Sequence, residues 1–60
     1  MWGKVSALME EKHISIYRLC EDLKMPKTTF YRWKKDGRTN NLNVLTRVAE
    51  YFGVSITDLL

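Results

Sequence analysis

A single proline constrains this chain more than any other residue, because it separates two short helical patterns. Pro26 has no amide hydrogen and pushes the residue before it out of helical geometry, so a helix must end there. Upstream, Ser15 can cap a helix in which Leu19, Cys20 and Leu23 share one apolar face. Proline also suits the first turn of a new helix, where the missing donor costs nothing. This stretch therefore predicts two short helices joined by a tight turn.

The second of these helices presents two different faces. Phe30 and Trp33 fall three residues apart, which predicts that both are buried in the core rather than stacked on a partner. The other face carries basic or hydrogen-bonding side chains at helical spacing: Lys27, Thr28, Tyr31, Arg32 and Lys35. A helix with such a face fits the width of the DNA major groove.

The stretch resembles the helix-turn-helix of the phage-repressor and Cro-like (Xre) family. The likeness lies in a register that runs through nearly the whole chain: Leu19, Cys20, Leu23, Met25, Phe30, Trp33, Leu42, Leu45, Val48, Ala49, Phe52, Gly53, Val54, Ser55, Leu59 and Leu60. The resemblance implies an all-α, five-helix, lambda-repressor-like DNA-binding domain, with helices at about 2–12, 16–23, 27–35, 42–52 and 56–60. Lys24 departs from the family pattern, because relatives favour glycine in that left-handed turn.

Length and composition favour one small domain in a reducing compartment. A chain of 60 residues buries only about 60% of its unfolded surface. The one cysteine excludes an internal disulfide. No apolar run approaches the roughly 20 residues that span a membrane, and no signal peptide precedes the first helix. We therefore expect a cytoplasmic, nucleoid-associated protein with no membrane partner.

The positive charge is concentrated on the second helix of the motif and on the loop after it. Between residues 24 and 38, six lysines and arginines are opposed only by Asp36, which leaves a local net charge of +5. The other four basic and six acidic residues give −2, and the whole chain carries +3. This distribution is typical of a surface that binds a polyanion.

The resemblance also implies roles for individual residues. The positions that read bases in relatives are matched by Lys27, Thr28, Tyr31 and Arg32. Contacts to the phosphate backbone fall to Ser15, Tyr17, Lys35, Arg38, Thr39 and Asn40. The family binds near-palindromic operators as dimers, and a homodimer contact here would use Tyr51, Ile56, Leu59 and Leu60.

Several residues are expected to mark the ends of the remaining helices. Gly37 can take the left-handed geometry that terminates the recognition helix. Asn41 should cap the fourth helix, whose apolar stripe begins at Leu42. Ser55 and Asp58 approximate a capping box before the last helix.

No catalytic constellation is visible, and we expect no enzyme activity, metal, cofactor or small-molecule ligand. The serines lack a local base, and the chain has no glycine-rich phosphate loop. His13 has no second histidine or cysteine pair near it. Cys20 stands where relatives place a small residue, and no resolving cysteine exists, so a structural role is expected rather than redox sensing.

The sequence thus predicts sequence-specific binding of double-stranded DNA by a bacterial or phage transcription regulator of the repressor type. Two alternatives stay open. Domains of this fold also serve as antitoxins or adaptors that bind a partner protein, although a pure adaptor has no need of such a basic stripe. A fragment that binds DNA only when joined to a further domain is also compatible with a chain that ends inside a predicted helix.

Overall fold

Helices make up all of the regular structure in the computed structural model, which describes residues 1–60. The helices are α1 (Trp2–Glu11), α2 (Ile16–Leu23), α3 (Lys27–Asp36) and α4 (Leu42–Phe52), and a 3-10 helix covers Ile56–Leu59. The predicted all-α class is confirmed, but the prediction of a fifth α-helix is wrong. Only four residues after Ser55 are helical, and a single turn of this length takes the tighter 3-10 form readily.

The helices begin or end at the predicted cap residues Ser15, Gly37, Asn41 and Ser55. The Ser15 hydroxyl accepts a hydrogen bond from an amide in the first turn of α2 at 3.1 Å. The Asn41 side chain accepts two amides at the start of α4, at 3.1 and 3.3 Å. Gly37 ends α3 in the left-handed conformation, with φ of 82°. At the last turn the Ser55 amide donates to the Asp58 carboxylate at 3.1 Å, as a capping box requires.

The turn between α2 and α3 is left-handed and contains no glycine. Lys24 has φ of 56°, as the family register predicts, and the Met25 amide closes α2 by donating to the Cys20 carbonyl at 3.0 Å. His13, after α1, has the same φ. Each non-glycine residue in this conformation costs of order 1 kcal/mol. The turn nevertheless sets α3 across α2, which gives the helix-turn-helix its shape.

The core consists of thirteen buried side chains, none of them polar: Val5, Met9, Leu19, Cys20, Leu23, Phe30, Trp33, Val44, Leu45, Val48, Ala49, Phe52 and Leu59. Burial of Phe30 and Trp33 is therefore confirmed. Leu42 was placed on the buried stripe of α4, but it is 70% exposed. Leu42 is the first residue of α4, and no other helix packs over the apolar stripe at that end.

Polar contacts join α2 to α4 at the edge of the core. The Arg47 guanidinium donates to the Leu23 carbonyl at the end of α2. The Tyr51 hydroxyl donates to the Asp22 carboxylate at 2.5 Å, and that carboxylate also pairs with Arg18 at 3.1 Å. These contacts hold the first helix of the motif against α4.

Candidate nucleic-acid interface

The exposed surface of α3 divides into two sides, which differ in what lies next to them. Thr28, Arg32 and Asp36 recur every four residues and line a groove beside the following loop. We call this the groove side. Lys27 and Tyr31 follow the same spacing on the flank nearer to α2. With Tyr17 of α2 they form what we call the tyrosine side.

The groove has a volume of about 650 Å³ and lies between α3 and the loop of residues 37–41. Its lining is almost wholly polar: Thr28, Thr29, Arg32, Trp33, Asp36, Arg38, Thr39, Asn40 and Asn41. Arg32 and Arg38, to which the sequence gave different roles, thus line one groove. Neither guanidinium has a partner within the chain, because the only ion pair joins Arg18 to Asp22. Both arginines are therefore available to an anionic ligand.

On the tyrosine side, Lys27 already has a partner within the chain. The Lys27 ammonium lies 4.2 Å from the centroid of the Tyr17 ring. Such a cation–π contact is worth about 0.5–1 kcal/mol at an exposed site. Tyr17 is 61% exposed and Tyr31 is 53% exposed, so both aromatic rings are open to a partner. A base contact by Lys27 would first have to break its contact with the ring.

The loop of residues 37–41 is held by hydrogen bonds from outside itself. The Gly37 carbonyl accepts the Trp2 amide at 3.0 Å, and the Thr39 amide donates to the Met1 sulfur at 3.2 Å. Thr39 is half-buried, and its hydroxyl accepts a hydrogen bond from the Asn41 amide at 3.3 Å. Of the residues expected to meet phosphate in this loop, the side chains of Arg38 and Asn40 are the exposed ones.

One of the four expected dimer residues is ruled out by burial. Leu59 is 0% exposed and belongs to the core, so it cannot contact a second chain in the folded domain. Tyr51 is half-buried, and its hydroxyl is bonded to Asp22. Leu60 is 60% exposed and Ile56 is half-buried. Of the four residues expected in a dimer contact, Leu60 is therefore the exposed one, and Tyr51 and Ile56 are half-buried.

Three ionisable groups, Cys20, Asp22 and Tyr51, have shifted pKa values. The hydrogen bond from Tyr51 lowers the pKa of Asp22, and the same bond raises the pKa of Tyr51. Burial raises the pKa of the Cys20 thiol, and this outweighs the opposing charge of Lys27. The thiol therefore stays protonated near neutral pH, which makes it a poor nucleophile. No three side chains of the metal-binding types come together as a metal site requires.

The α2–turn–α3 geometry and the basic surface of α3 define a small helix-turn-helix domain. A family model described as the Cro/C1-type HTH DNA-binding domain matches residues 4–60. Because that match spans nearly the whole chain, the chain belongs to this family, and the resemblance found in the sequence is confirmed. No curated protein and no solved structure matches the chain. None of its helices has both the length and the apolar character needed to cross a membrane.

Two features of this interface were missed at the sequence level. Tyr17 and Lys27 lie in different helices, so their contact depends on how α2 and α3 cross. The meeting of Arg32 with Arg38 depends on the path of the loop after Gly37. The charge count gave the only sequence signal for this groove, because it grouped both arginines in one basic segment.

Proposed function

We propose that this domain binds double-stranded DNA in a sequence-specific manner and acts as a transcription regulator of the repressor type, with α3 in the major groove. The observation that carries the proposal is the pair of unpartnered arginines in one polar groove. Arg32 extends from α3 and Arg38 from the loop, inside the segment that holds a net charge of +5. Membership of a DNA-binding family supports the same conclusion.

In this arrangement the two arginines have complementary tasks. Arg32, halfway along α3, can grip guanine O6 and N7 with its planar fork. Arg38 sits on the loop wall of the groove, where it can neutralise a phosphate of the adjoining backbone. The groove then accommodates the sugar-phosphate strand beside the base that Arg32 reads. Lys35 adds a further phosphate contact from the last turn of α3.

The start of α2 supplies a second contact with the backbone. Ser15 uses its hydroxyl as an acceptor in the cap of α2, so it retains its O–H as a donor for phosphate. Tyr17 is exposed two residues later and can donate its phenol O–H. These donors and the loop would hold α3 from both flanks while Thr28, Tyr31 and Arg32 face the bases.

We further propose that two copies bind a near-palindromic operator. Half-sites for such dimers lie about 34 Å apart, one turn of the double helix. The contact between copies would use the exposed Leu60 and the half-exposed Ile56 rather than Leu59. Footprinting of the preferred duplex tests this: two related half-sites are expected, and one unpaired half-site would contradict it.

The test of DNA binding is selection of duplexes from a random pool, followed by salt titration of the best sequence. If each subunit neutralises about 4 to 5 phosphates, log affinity should fall against log salt with a slope near −4 per subunit. Lys12→Ala is a suitable control, because it removes one positive charge from the exposed end of α1, outside the basic segment. A slope near zero, or no binding at low salt, would refute the proposal and favour a protein-binding role.

A further inference from the structure

The first residues of the chain lie outside the family match, which begins at residue 4. Yet Met1 and Trp2 make two of the hydrogen bonds that hold the loop of residues 37–41. We call these two residues the N-terminal strap. The contact therefore involves two residues that the family match does not cover.

The bond between Trp2 and Gly37 joins two helix ends that complement each other. Trp2 is the first residue of α1, and its amide has no partner within that helix. Gly37 follows the last residue of α3 and carries a carbonyl that the helix does not use. The two groups meet at 3.0 Å. The Trp2 ring also packs edge-on against Trp33 of α3, with centroids 5.3 Å apart and planes at 69°.

The second bond reaches the middle of the loop. The Thr39 amide, in a half-buried position, donates to the Met1 thioether at 3.2 Å. Sulfur is a weak acceptor, so this bond is modest by itself. Its position matters, because Arg38 lies between Gly37 and Thr39, the two residues that are hydrogen-bonded to the N-terminal strap. The backbone on both sides of the exposed arginine is thereby hydrogen-bonded to the N-terminal strap.

We propose that the N-terminal strap positions the loop of residues 37–41, so that Arg38 and the loop amides meet a DNA phosphate without first being ordered. Met1 and Trp2 are positioning residues, because their effect on a ligand passes through the loop. A loop without the strap would have to lose backbone freedom on binding, which weakens affinity. The DNA part of this inference rests on the proposed function, whereas the ordering of the loop does not.

The first experiment uses the free protein and Met1→Leu, which keeps an apolar side chain of similar size but removes the sulfur acceptor. All proteins carry one added N-terminal residue so that position 1 can be varied. Met25→Leu makes the same change in the turn before α3 and is the control. Amide hydrogen exchange at Thr39 should speed up by about 2- to 3-fold in Met1→Leu, the low end of the range for one hydrogen bond, and stay unchanged in Met25→Leu.

A second pair of variants isolates the bond to Gly37. Trp2→Ala and Trp2→Pro both lose the indole ring, but only proline also removes the amide donor. Proline is favoured at the first position of a helix, so α1 itself tolerates the change. The loop amides should therefore exchange faster in Trp2→Pro than in Trp2→Ala. Equal exchange in the two variants, or an unchanged Thr39 amide in Met1→Leu, would overturn the strap.

The DNA measurement separates positioning from simple stability. Met1→Leu should lower affinity for random duplexes by about 2- to 3-fold, while the order of preference among sequences stays the same. Arg38→Ala should cost less affinity in the Met1→Leu background than in the parent protein, because a disordered loop already weakens that contact. Faster exchange with unchanged affinity and a full Arg38 effect would overturn the positioning role. A parent protein that binds no duplex would refute the proposed function, and the strap's role in binding with it, while leaving the exchange result intact.

Discussion

Each side of α3 carries a basic side chain, but Arg32 on the groove side and Lys27 on the tyrosine side differ in whether they already have a partner within the chain. On the groove side, Arg32 has no partner in the chain and faces a second free arginine, Arg38, across a polar groove. On the tyrosine side, Lys27 rests over the Tyr17 ring at 4.2 Å. Arg32 can bind a ligand without losing a contact in the chain, whereas Lys27 must first lose a cation–π contact worth about 0.5–1 kcal/mol. We therefore expect a positive charge on the groove side of α3 to contribute more free energy of binding to an anionic ligand than one paired with Tyr17 on the tyrosine side.

The largest expected effect tests the groove side. Arg32→Ala should cost about 1–3 kcal/mol on the preferred duplex and relax the preference at one base pair, because a bidentate base contact is lost. Arg38→Ala, in the same groove, should weaken all duplexes alike and reduce the salt slope by about 0.9. Titration of both variants against single-base changes in the duplex measures the difference. If Arg32→Ala lowers every affinity by one common factor, Arg32 is a backbone contact and the reading side is misassigned.

A smaller effect is expected on the tyrosine side. Lys27→Ala should cost less than Arg32→Ala, since part of what Lys27 gives to DNA replaces its contact with Tyr17. In a Tyr17→Leu background that contact no longer exists, and Lys27→Ala should then cost about 0.5–1 kcal/mol more. The double-mutant cycle measures this term directly. Strict additivity of the two substitutions would show that the cation–π contact survives on DNA, or has no energetic weight.

Asp36 sharpens the comparison, because it is the only acidic residue in the basic segment and lines the groove side. It makes no ion pair there, so its charge repels phosphate near both arginines. Asp36→Asn should strengthen binding to random duplexes by roughly 0.2–1 kcal/mol, the range for exposed charges. The preference for the selected duplex should stay the same, because repulsion of phosphate does not depend on the base sequence. Glu11→Gln, which removes an exposed charge at the end of α1, is the matched control.

The smallest expected effect is on the pH dependence of stability. It concerns the Tyr51–Asp22 hydrogen bond, which joins α4 to α2, the helix that carries Tyr17. The Tyr51 hydrogen bond puts the pKa of Asp22 below its ordinary value of 3.8, so its stabilisation is present above that value and is lost as pH falls through the folded-state pKa. The raised pKa of Tyr51 acts at the other extreme: its stabilisation is present below 10.0 and lost as pH rises through the folded-state value. Tyr51→Phe should reduce the dependence of thermal stability on pH at both extremes. An unchanged profile would show that the exposed pair contributes nothing.

Much of the fold was predictable, because single residues decide its turns. Pro26 separated two helices, Lys24 took the left-handed position, and Ser15 and Asn41 capped the helices they precede. The last element was overestimated, since apolar spacing over four residues cannot separate a 3-10 turn from an α-helix. Leu59 was assigned to a dimer surface because spacing alone does not show what covers a residue.

The candidate site was predictable only in part. The basic segment was evident from composition, but the division of α3 into two sides was not. It depends on the crossing of α2 and α3 and on the path of the loop, which no local pattern encodes. The residues of the N-terminal strap gave no signal at all, since Met1 and Trp2 look like the ordinary start of an amphipathic helix.

The edge-on packing of Trp2 against Trp33 has an optical consequence. These are the only two tryptophans in the chain, and they lie together beside the groove side, whereas the tyrosine side holds Tyr17 and Tyr31. Tryptophan emission therefore reports on the N-terminal strap and the groove wall. Two indoles with centroids 5.3 Å apart and planes at 69° also couple electronically, which adds a signature to the circular dichroism spectrum. The groove side of α3 can thus be followed in solution without attaching a dye.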